Sequence, residues 1–216
     1  MTHSLRLIAC SAALGLALVA CSPASESNSA GETAAAPATP AAEGEWTIDS
    51  AASHLDYVSI KAGEVAEANR FEKLTGTVGA DGAARVEIDL ASVNTGVEIR
   101  DERMREIFFQ VADFPSATVT AQLDPQQFAA LEVGQVVVQP LAAKVAVKGM
   151  EADVAAEVQV ARVSDDRVIA TTTRPIIITT DMFGLTDELG ELRALAQLPS
   201  ISPAVPVTFT LAFTRS

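Results

Sequence analysis

The alternation of apolar and polar residues predicts a chain built mainly of β-strands. Between residues 205 and 213, every second residue is a valine, leucine or phenylalanine and threonines fill many of the gaps. Residues 85–90 alternate in the same way, with Val86, Ile88 and Leu90 on one face. A period of two is typical of a strand that buries one face and exposes the other.

Further runs with strand character occur along the chain, and turn residues such as Asp81-Gly82 separate them. These runs are residues 46–49, 55–60, 71–78, 117–123, 136–148, 154–160 and 168–180, the last interrupted near Pro175. Residues 61–70 are polar and predict a loop. Because no crossover helices separate the runs, antiparallel pairing is expected.

Two segments have helical spacing instead. In the first, an apolar stripe with spacing i, i+3, i+4 and i+7 is formed by Met104, Ile107, Phe108 and Val111. Asp101 is placed to cap its start, and Pro115 requires it to end before residue 113. We expect this helix to lie across one end of the fold and seal it. Residues 186–197 predict a second short helix.

The predicted fold is therefore all-β: an antiparallel, roughly eight-stranded, lipocalin-like barrel with one or two short helices. Closure into a barrel removes exposed strand edges, and a two-sheet sandwich is the alternative. Gly44-Glu45-Trp46 matches the G-x-W that opens many lipocalin barrels. An eight-stranded barrel is just wide enough to be filled by side chains or to hold one small ligand.

Residues on the inward faces are the candidates for a ligand cavity. The candidate set is Val86, Ile88, Leu90, Val119, Phe209, Leu211 and Phe213, with Phe71 and Phe108 near a mouth. A solid core produces the same alternation, so the sequence leaves an open and a filled interior as alternatives.

The first 43 residues have a different composition. Residues 1–20 combine Arg6 with an uncharged apolar run, which predicts an export signal. The run ends in Leu18-Val19-Ala20-Cys21, which resembles the lipobox of bacterial lipoproteins. Lipidation of Cys21 would anchor the chain to the periplasmic face of a membrane, and Ser22 favours the outer membrane by analogy. Cleavage as an ordinary secretory signal is the alternative.

Residues 21–43 consist mostly of Ala, Ser, Pro, Glu and Thr and predict a disordered tether before a domain at residues 44–216. The chain carries 28 acidic and 15 basic residues, a net charge of −13, so a nucleic-acid partner is not expected. After residue 20 the sole histidine is His54, and no metal-ligand or nucleophile–base pattern is present in the sequence. We therefore predict a protein that is not an enzyme and holds no metal or cofactor, and a hydrolase using paired carboxylates is a minor alternative.

A series of short motifs runs in order through the domain. They are Trp46-Thr47-Ile48-Asp49, Phe71 with Leu74 and Gly76, Val86-Glu87-Ile88-Asp89-Leu90, Ser92-Val93 with Thr95, Arg100-Asp101, Met104-Arg105, Phe108, Phe114-Pro115-Ser116-Ala117-Thr118 and Lys148-Gly149. The series resembles the YceI-like family of periplasmic lipid- or polyisoprenoid-binding proteins with a lipocalin-like barrel. The resemblance implies a hydrophobic interior that holds a long isoprenoid chain, in some cases with a quinone-like head.

Two functional hypotheses follow. In the first, the protein is a cell-envelope lipoprotein that carries a polyisoprenoid, an isoprenoid quinone or a similar apolar lipid. In the second, it is an envelope interaction module with a solid core, and its acidic surface and central helix contact a partner such as a membrane redox protein. Neither hypothesis fixes the oligomeric state.

Overall fold

The computed structural model describes residues 44–215, and the predicted export signal, Cys21 and the predicted tether lie outside the described residues. Within this range the chain forms one closed antiparallel barrel of eight strands. Each strand pairs with the next along the chain, and the last pairs with the first, where Ile48 is opposite Phe213. The prediction of an eight-stranded barrel is therefore confirmed, and the sandwich alternative is wrong.

Twelve segments make the eight strands. They are β1 (Trp46–Ile48), β2 (His54–Lys61), β3 (Val65–Phe71), β4 (Leu74–Val78), β5 (Ala83–Asp89), β6 (Val93–Asn94), β7 (Ser116–Gln122), β8 (Val136–Val147), β9 (Met150–Ser164), β10 (Arg167–Thr172), β11 (Ile176–Thr179) and β12 (Ala204–Arg215). Four strands are interrupted, so that β1 continues as β2, β3 as β4, β5 as β6 and β10 as β11.

Aspartates produce two of these interruptions. The Asp49 carboxylate accepts from the Ala51 N–H at 3.1 Å and starts a 3-10 turn, Ser50–Ala52. Asp89 accepts from the Ala91 N–H at 2.9 Å and starts the turn Leu90–Ser92 in the same way. Side chains that bond to the backbone two residues later compete with the strand ladder, and the chain bends there.

The helices are short. They are α1 (Glu98–Arg103), which continues as a π-helical turn (Met104–Phe108), α2 (Pro125–Ala129) and α3 (Thr186–Leu195). Across residues 44–215, no helix has the length and apolar character needed to cross a bilayer.

Connections alternate between the two ends of the barrel. One end, which we call the sealed end, carries residues 95–115, the β8–β9 turn and residues 180–203. The other end, the mouth, carries the β4–β5 turn, residues 123–135 and the β9–β10 turn. The main hydrophobic cluster includes Leu74 and Leu90, which are almost fully buried, and the sealing side chains of the π turn. A second, smaller cluster is centred on Leu131, Val158 and Val160.

Two predicted elements differ from the structure. Residues 65–70, predicted as loop, belong to β3, because seven consecutive residue pairs with β2 hold them in a ladder despite their polar side chains. The first helix begins at Glu98 rather than at Asp101, and its N-cap residue, Val97, makes no side-chain capping bond. Asp101 is instead buried inside the first turns of the helix.

Candidate functional site: an apolar cavity in the barrel

The barrel encloses a cavity of about 190 Å³. Twenty-five residues line it, and Gln139 is the only one of them with a polar side chain. No charged side chain reaches the wall. Placing a charge or an unpaired polar group in such a space is costly, so the cavity is suited to an apolar molecule.

Small side chains on the inward faces leave the space open. Ala84 on β5 is paired with Ala121 on β7, and both line the cavity. Ala170 on β10 is paired with Leu211 on β12, so that a large residue has a small partner across the ladder. Larger residues at these positions would fill the interior. The alternative of a solid core is therefore not what the structure shows.

The sequence-predicted cavity residues fall into two groups. Six of the nine line the cavity, namely Val86, Ile88, Val119, Phe209, Leu211 and Phe213. The other three, Phe71, Leu90 and Phe108, are buried in the main cluster and do not line it. The π turn that carries Phe108 lies at the sealed end, and the expectation that Phe71 and Phe108 flank a mouth stays a prediction. Contact of any of the nine with a ligand stays a prediction.

An aromatic cluster closes the sealed end. The ring of Phe109 lies edge-on to Phe108 at 4.9 Å between centroids and to Phe71 at 5.7 Å. Tyr57 packs on Phe71 at 5.6 Å. Such arrangements are favoured by the ring quadrupoles. Phe109 was not among the predicted core residues, because the predicted α-helical stripe does not include it.

The π turn explains why Phe109 is buried. The Phe109 N–H donates to the Met104 carbonyl, five residues back, at 2.9 Å. The additional residue in this turn rotates the following side chain toward the barrel. Phe109, directly after Phe108 of the predicted stripe, was the only sequence signal for this arrangement.

A polar network anchors α1 beside the aromatic cluster. Buried Asp101 accepts from the Thr95 N–H at 2.8 Å and from the Thr95 hydroxyl at 2.5 Å. Arg100 donates from Nε to the Thr95 hydroxyl oxygen and forms an ion pair with Glu67 on β3. The Lys61 ammonium lies 2.9 Å from the same Glu67 carboxylate. The network thus fixes the helix to the β2–β3 hairpin.

Tyr57 remains neutral in this environment. Burial raises the pKa of Tyr57 far above its ordinary value; the Arg100 guanidinium opposes that increase, whereas the Asp101 carboxylate adds to it. A neutral phenol packed on the Phe71 ring acts as part of the seal rather than as an acid or base.

The stability of the domain should depend on Glu67 ionisation. The hydrogen bond from Lys61, against a smaller opposing effect of burial, lowers the pKa of Glu67 below its ordinary 4.5, and the Arg100 charge lowers it further. A lowered folded-state pKa stabilises the fold above pH 4.5, and this contribution is lost as the pH falls through the folded-state value. We expect the free energy of unfolding of Glu67→Gln to lie about 1 kcal/mol or less below that of wild type at pH 7. This difference should shrink below pH 4.5.

Urea unfolding at pH 7, 5 and 3 measures this difference. Glu64→Gln, at an exposed position in the neighbouring turn, is the control and should track wild type at each pH. A Glu67→Gln deficit that persists undiminished at pH 3 would contradict the assignment.

We next searched the described residues for ionisable side chains that could bind a metal ion. Among residues 44–215, no group of three or more His, Cys, Asp or Glu side chains is placed to hold a metal ion. His54 is partly exposed, with Nε2 3.5 Å from an Asp56 carboxylate oxygen. The arrangement can enclose an apolar molecule.

An eight-stranded up-and-down barrel around an apolar cavity defines a lipocalin-like binding protein. The YceI-like domain model matches residues 46–213, and the chain belongs to the YceI-like family.

The chain is also similar to solved structures. A polyisoprenoid-binding domain from Saccharophagus degradans, implicated in plant cell wall breakdown, is 34% identical with a TM-score of 0.77, over 79% of this chain and 98% of that one. BcnA from Burkholderia cenocepacia is 19% identical with a TM-score of 0.56, over 76% and 98% of the two chains, and supports the fold alone. No curated protein is significantly similar to the chain.

Proposed function

We propose that the barrel carries one long apolar lipid, a polyisoprenoid, an isoprenoid quinone or a similar molecule. The observation that carries this proposal is a cavity with a single polar side chain, Gln139, among its 25 lining residues. Burial of apolar surface contributes roughly 25 cal/mol per Å², so such a wall retains a hydrocarbon chain without specific polar contacts. The relative from Saccharophagus degradans, a polyisoprenoid-binding domain, supports the same ligand class.

We further propose that the protein acts in the cell envelope. The lipobox-like Leu18-Val19-Ala20-Cys21 supports an exported lipoprotein attached through Cys21 to the periplasmic face of a membrane, with the outer membrane favoured. A lipid carrier in that position would take its ligand from one apolar phase and release it to another. Globomycin, which blocks lipoprotein signal cleavage, should cause the uncleaved form to accumulate; unchanged processing would contradict the anchor without affecting the barrel proposal.

Native ligand content tests the barrel proposal directly. Residues 44–216 are suitable, because the related solved domain is covered over 98% of its length by this barrel. After purification without detergent, mass spectrometry of an organic extract should identify a stoichiometric C30–C50 isoprenoid. An empty protein that also fails to bind added polyprenols and quinones would refute the carrier function.

Trp46 provides an optical test of where the ligand lies. It is the sole tryptophan in the chain, is buried and lines the cavity. A quinone with two isoprene units should quench its fluorescence with a one-to-one endpoint, because the quinone accepts excitation energy or an electron at contact distance. A polyprenol without a quinone ring should compete and restore the emission. Quenching no stronger than that of free N-acetyltryptophanamide would place the quinone outside the barrel.

A further inference from the structure

The connection between β7 and β8, residues 123–135, covers the mouth of the cavity. Its helix α2 is capped by Asp124, whose carboxylate accepts from the Gln126 N–H at 3.0 Å. Leu123, Phe128 and Leu131 turn inward and line the cavity. We call residues 123–135 the mouth segment.

The mouth segment packs on its own small cluster. Phe128 and Leu131 contact the group centred on Val158 and Val160, which shares Val168 and Ala170 with the main cluster. The cavity wall includes members of both clusters. Moving the mouth segment therefore breaks contacts of the smaller cluster and leaves the main core intact, the condition under which a region opens locally.

One side chain ties the middle of this segment to the barrel. Arg162 on β9 faces inward, its side chain is 2% exposed, and its Nη1 donates to the Leu131 carbonyl at 2.9 Å. Backbone bonds hold the two ends of the segment, from the Leu123 N–H to the Gly82 carbonyl at 2.9 Å and from the Gly134 N–H to the Arg162 carbonyl at 2.8 Å, and the Arg162 side chain holds its middle.

The other bonds of Arg162 are longer. Its guanidinium lies 3.3 Å from the Ser164 carbonyl oxygen and 3.4 Å from both the carbonyl and a carboxylate oxygen of Asp165. The Asp165 side chain is 93% exposed, so solvent weakens this ion pair. Without the Leu131 carbonyl, the guanidinium keeps only these longer contacts, which compensate its desolvation less well. The charge of Arg162 therefore favours the closed position of the mouth segment.

The cavity is small for the proposed ligand. A cavity of about 150 Å³ holds a ligand the size of benzene, and the 190 Å³ present here is of the same order. An isoprenoid of six or more units needs a larger space. The sealed end offers less freedom, because Lys148 pairs with Glu188 at 2.7 Å and the aromatic cluster fills the interior there.

We propose that the mouth segment is the gate through which the apolar ligand enters and leaves, and that Arg162 is the positioning residue that holds it closed. The ligand part of this inference rests on the proposed carrier function. Replacing Arg162 by methionine removes the hydrogen bond to the Leu131 carbonyl and also removes a buried charge. We therefore expect faster exchange without a matching loss of global stability.

The rate of ligand release tests the role of Arg162. The full chain, loaded with the two-isoprene quinone, is mixed with an excess of phosphatidylcholine vesicles while Trp46 fluorescence recovers. Arg162→Met should release the probe about tenfold faster, equivalent to about 1.4 kcal/mol, with an unchanged midpoint of urea unfolding. Arg162→Lys, which keeps the positive charge and one donor nitrogen, should release the probe at a rate between those of wild type and Arg162→Met. Arg167→Met is the matched control: Arg167 lies on the adjoining strand and pairs with Asp49 at 3.2 Å.

Hydrogen exchange tests the gate without any ligand. Amides of residues 126–133 should exchange faster in unliganded Arg162→Met than in wild type, while those of residues 104–109 stay unchanged. If wild type takes up no quinone, the carrier proposal fails and the exchange experiment still decides the gate. Equal exchange in the two proteins, or a lowered unfolding midpoint with unaltered release, would overturn the role of Arg162. If the methionine variant does not fold, Arg162→Lys supplies the same comparison.

Discussion

Replacing Phe209 by arginine is expected to abolish either folding of the barrel or its uptake of apolar ligands. Phe209 on β12 points into the cavity, and it also packs on the smaller cluster. The new guanidinium would face a wall with no carboxylate and one polar side chain, Gln139. An uncompensated buried charge costs several kcal/mol, a large part of the 5–15 kcal/mol that stabilises a typical domain. Urea unfolding and Trp46 quenching by the short quinone measure the two outcomes.

The matched control places the same charge on the outside of the same barrel. Val138 on β8 is 55% exposed, and Val138→Arg should change the free energy of unfolding by less than about 0.5 kcal/mol and leave quenching unaltered. Wild-type stability and uptake in Phe209→Arg would mean that the inward face of β12 is assigned wrongly.

Strand alternation was sufficient to predict the barrel and most of its inward face. In β12 and β5 the apolar residues recur every second position, and Phe209, Leu211, Val86 and Ile88 all reach the cavity as predicted. The rule works there because each of these strands has one face on the interior and the other on the surface. A single closed sheet imposes that condition along its whole circumference.

The mouth and the sealed end were less predictable from local pattern. Helix α2 has only five residues, and its start signal, Asp124 before Pro125, is also typical of a turn. Burial of Phe109 depends on the additional residue of the π turn, which an α-helical stripe does not anticipate. The open interior depends on pairs such as Ala84 with Ala121, which are 37 residues apart and meet only through strand register.

Removing the Asp101 carboxylate should destabilise the sealed end more than any surface change. In Asp101→Ala, the Thr95 N–H and hydroxyl lose an acceptor in a buried position, and the Arg100 guanidinium loses the group that orients Thr95. Hydrogen bonds to a charged group contribute about 1.5–3 kcal/mol each, and groups left unpaired add a penalty. We expect a loss of about 3 kcal/mol in the free energy of unfolding.

Glu102→Ala separates this effect from loss of helical charge. Glu102 is the next residue, lies on the exposed face of α1 and should change stability by less than about 0.5 kcal/mol. Asp101→Asn retains one acceptor for the Thr95 N–H and should recover part of the loss. Because α1 leads directly into the π turn that carries Phe108, Asp101→Ala should also speed hydrogen exchange at residues 104–109 while residues 126–133 exchange as in wild type. Equal acceleration at both ends would mean that the two clusters unfold as one unit, and the barrel would then have no independently mobile mouth.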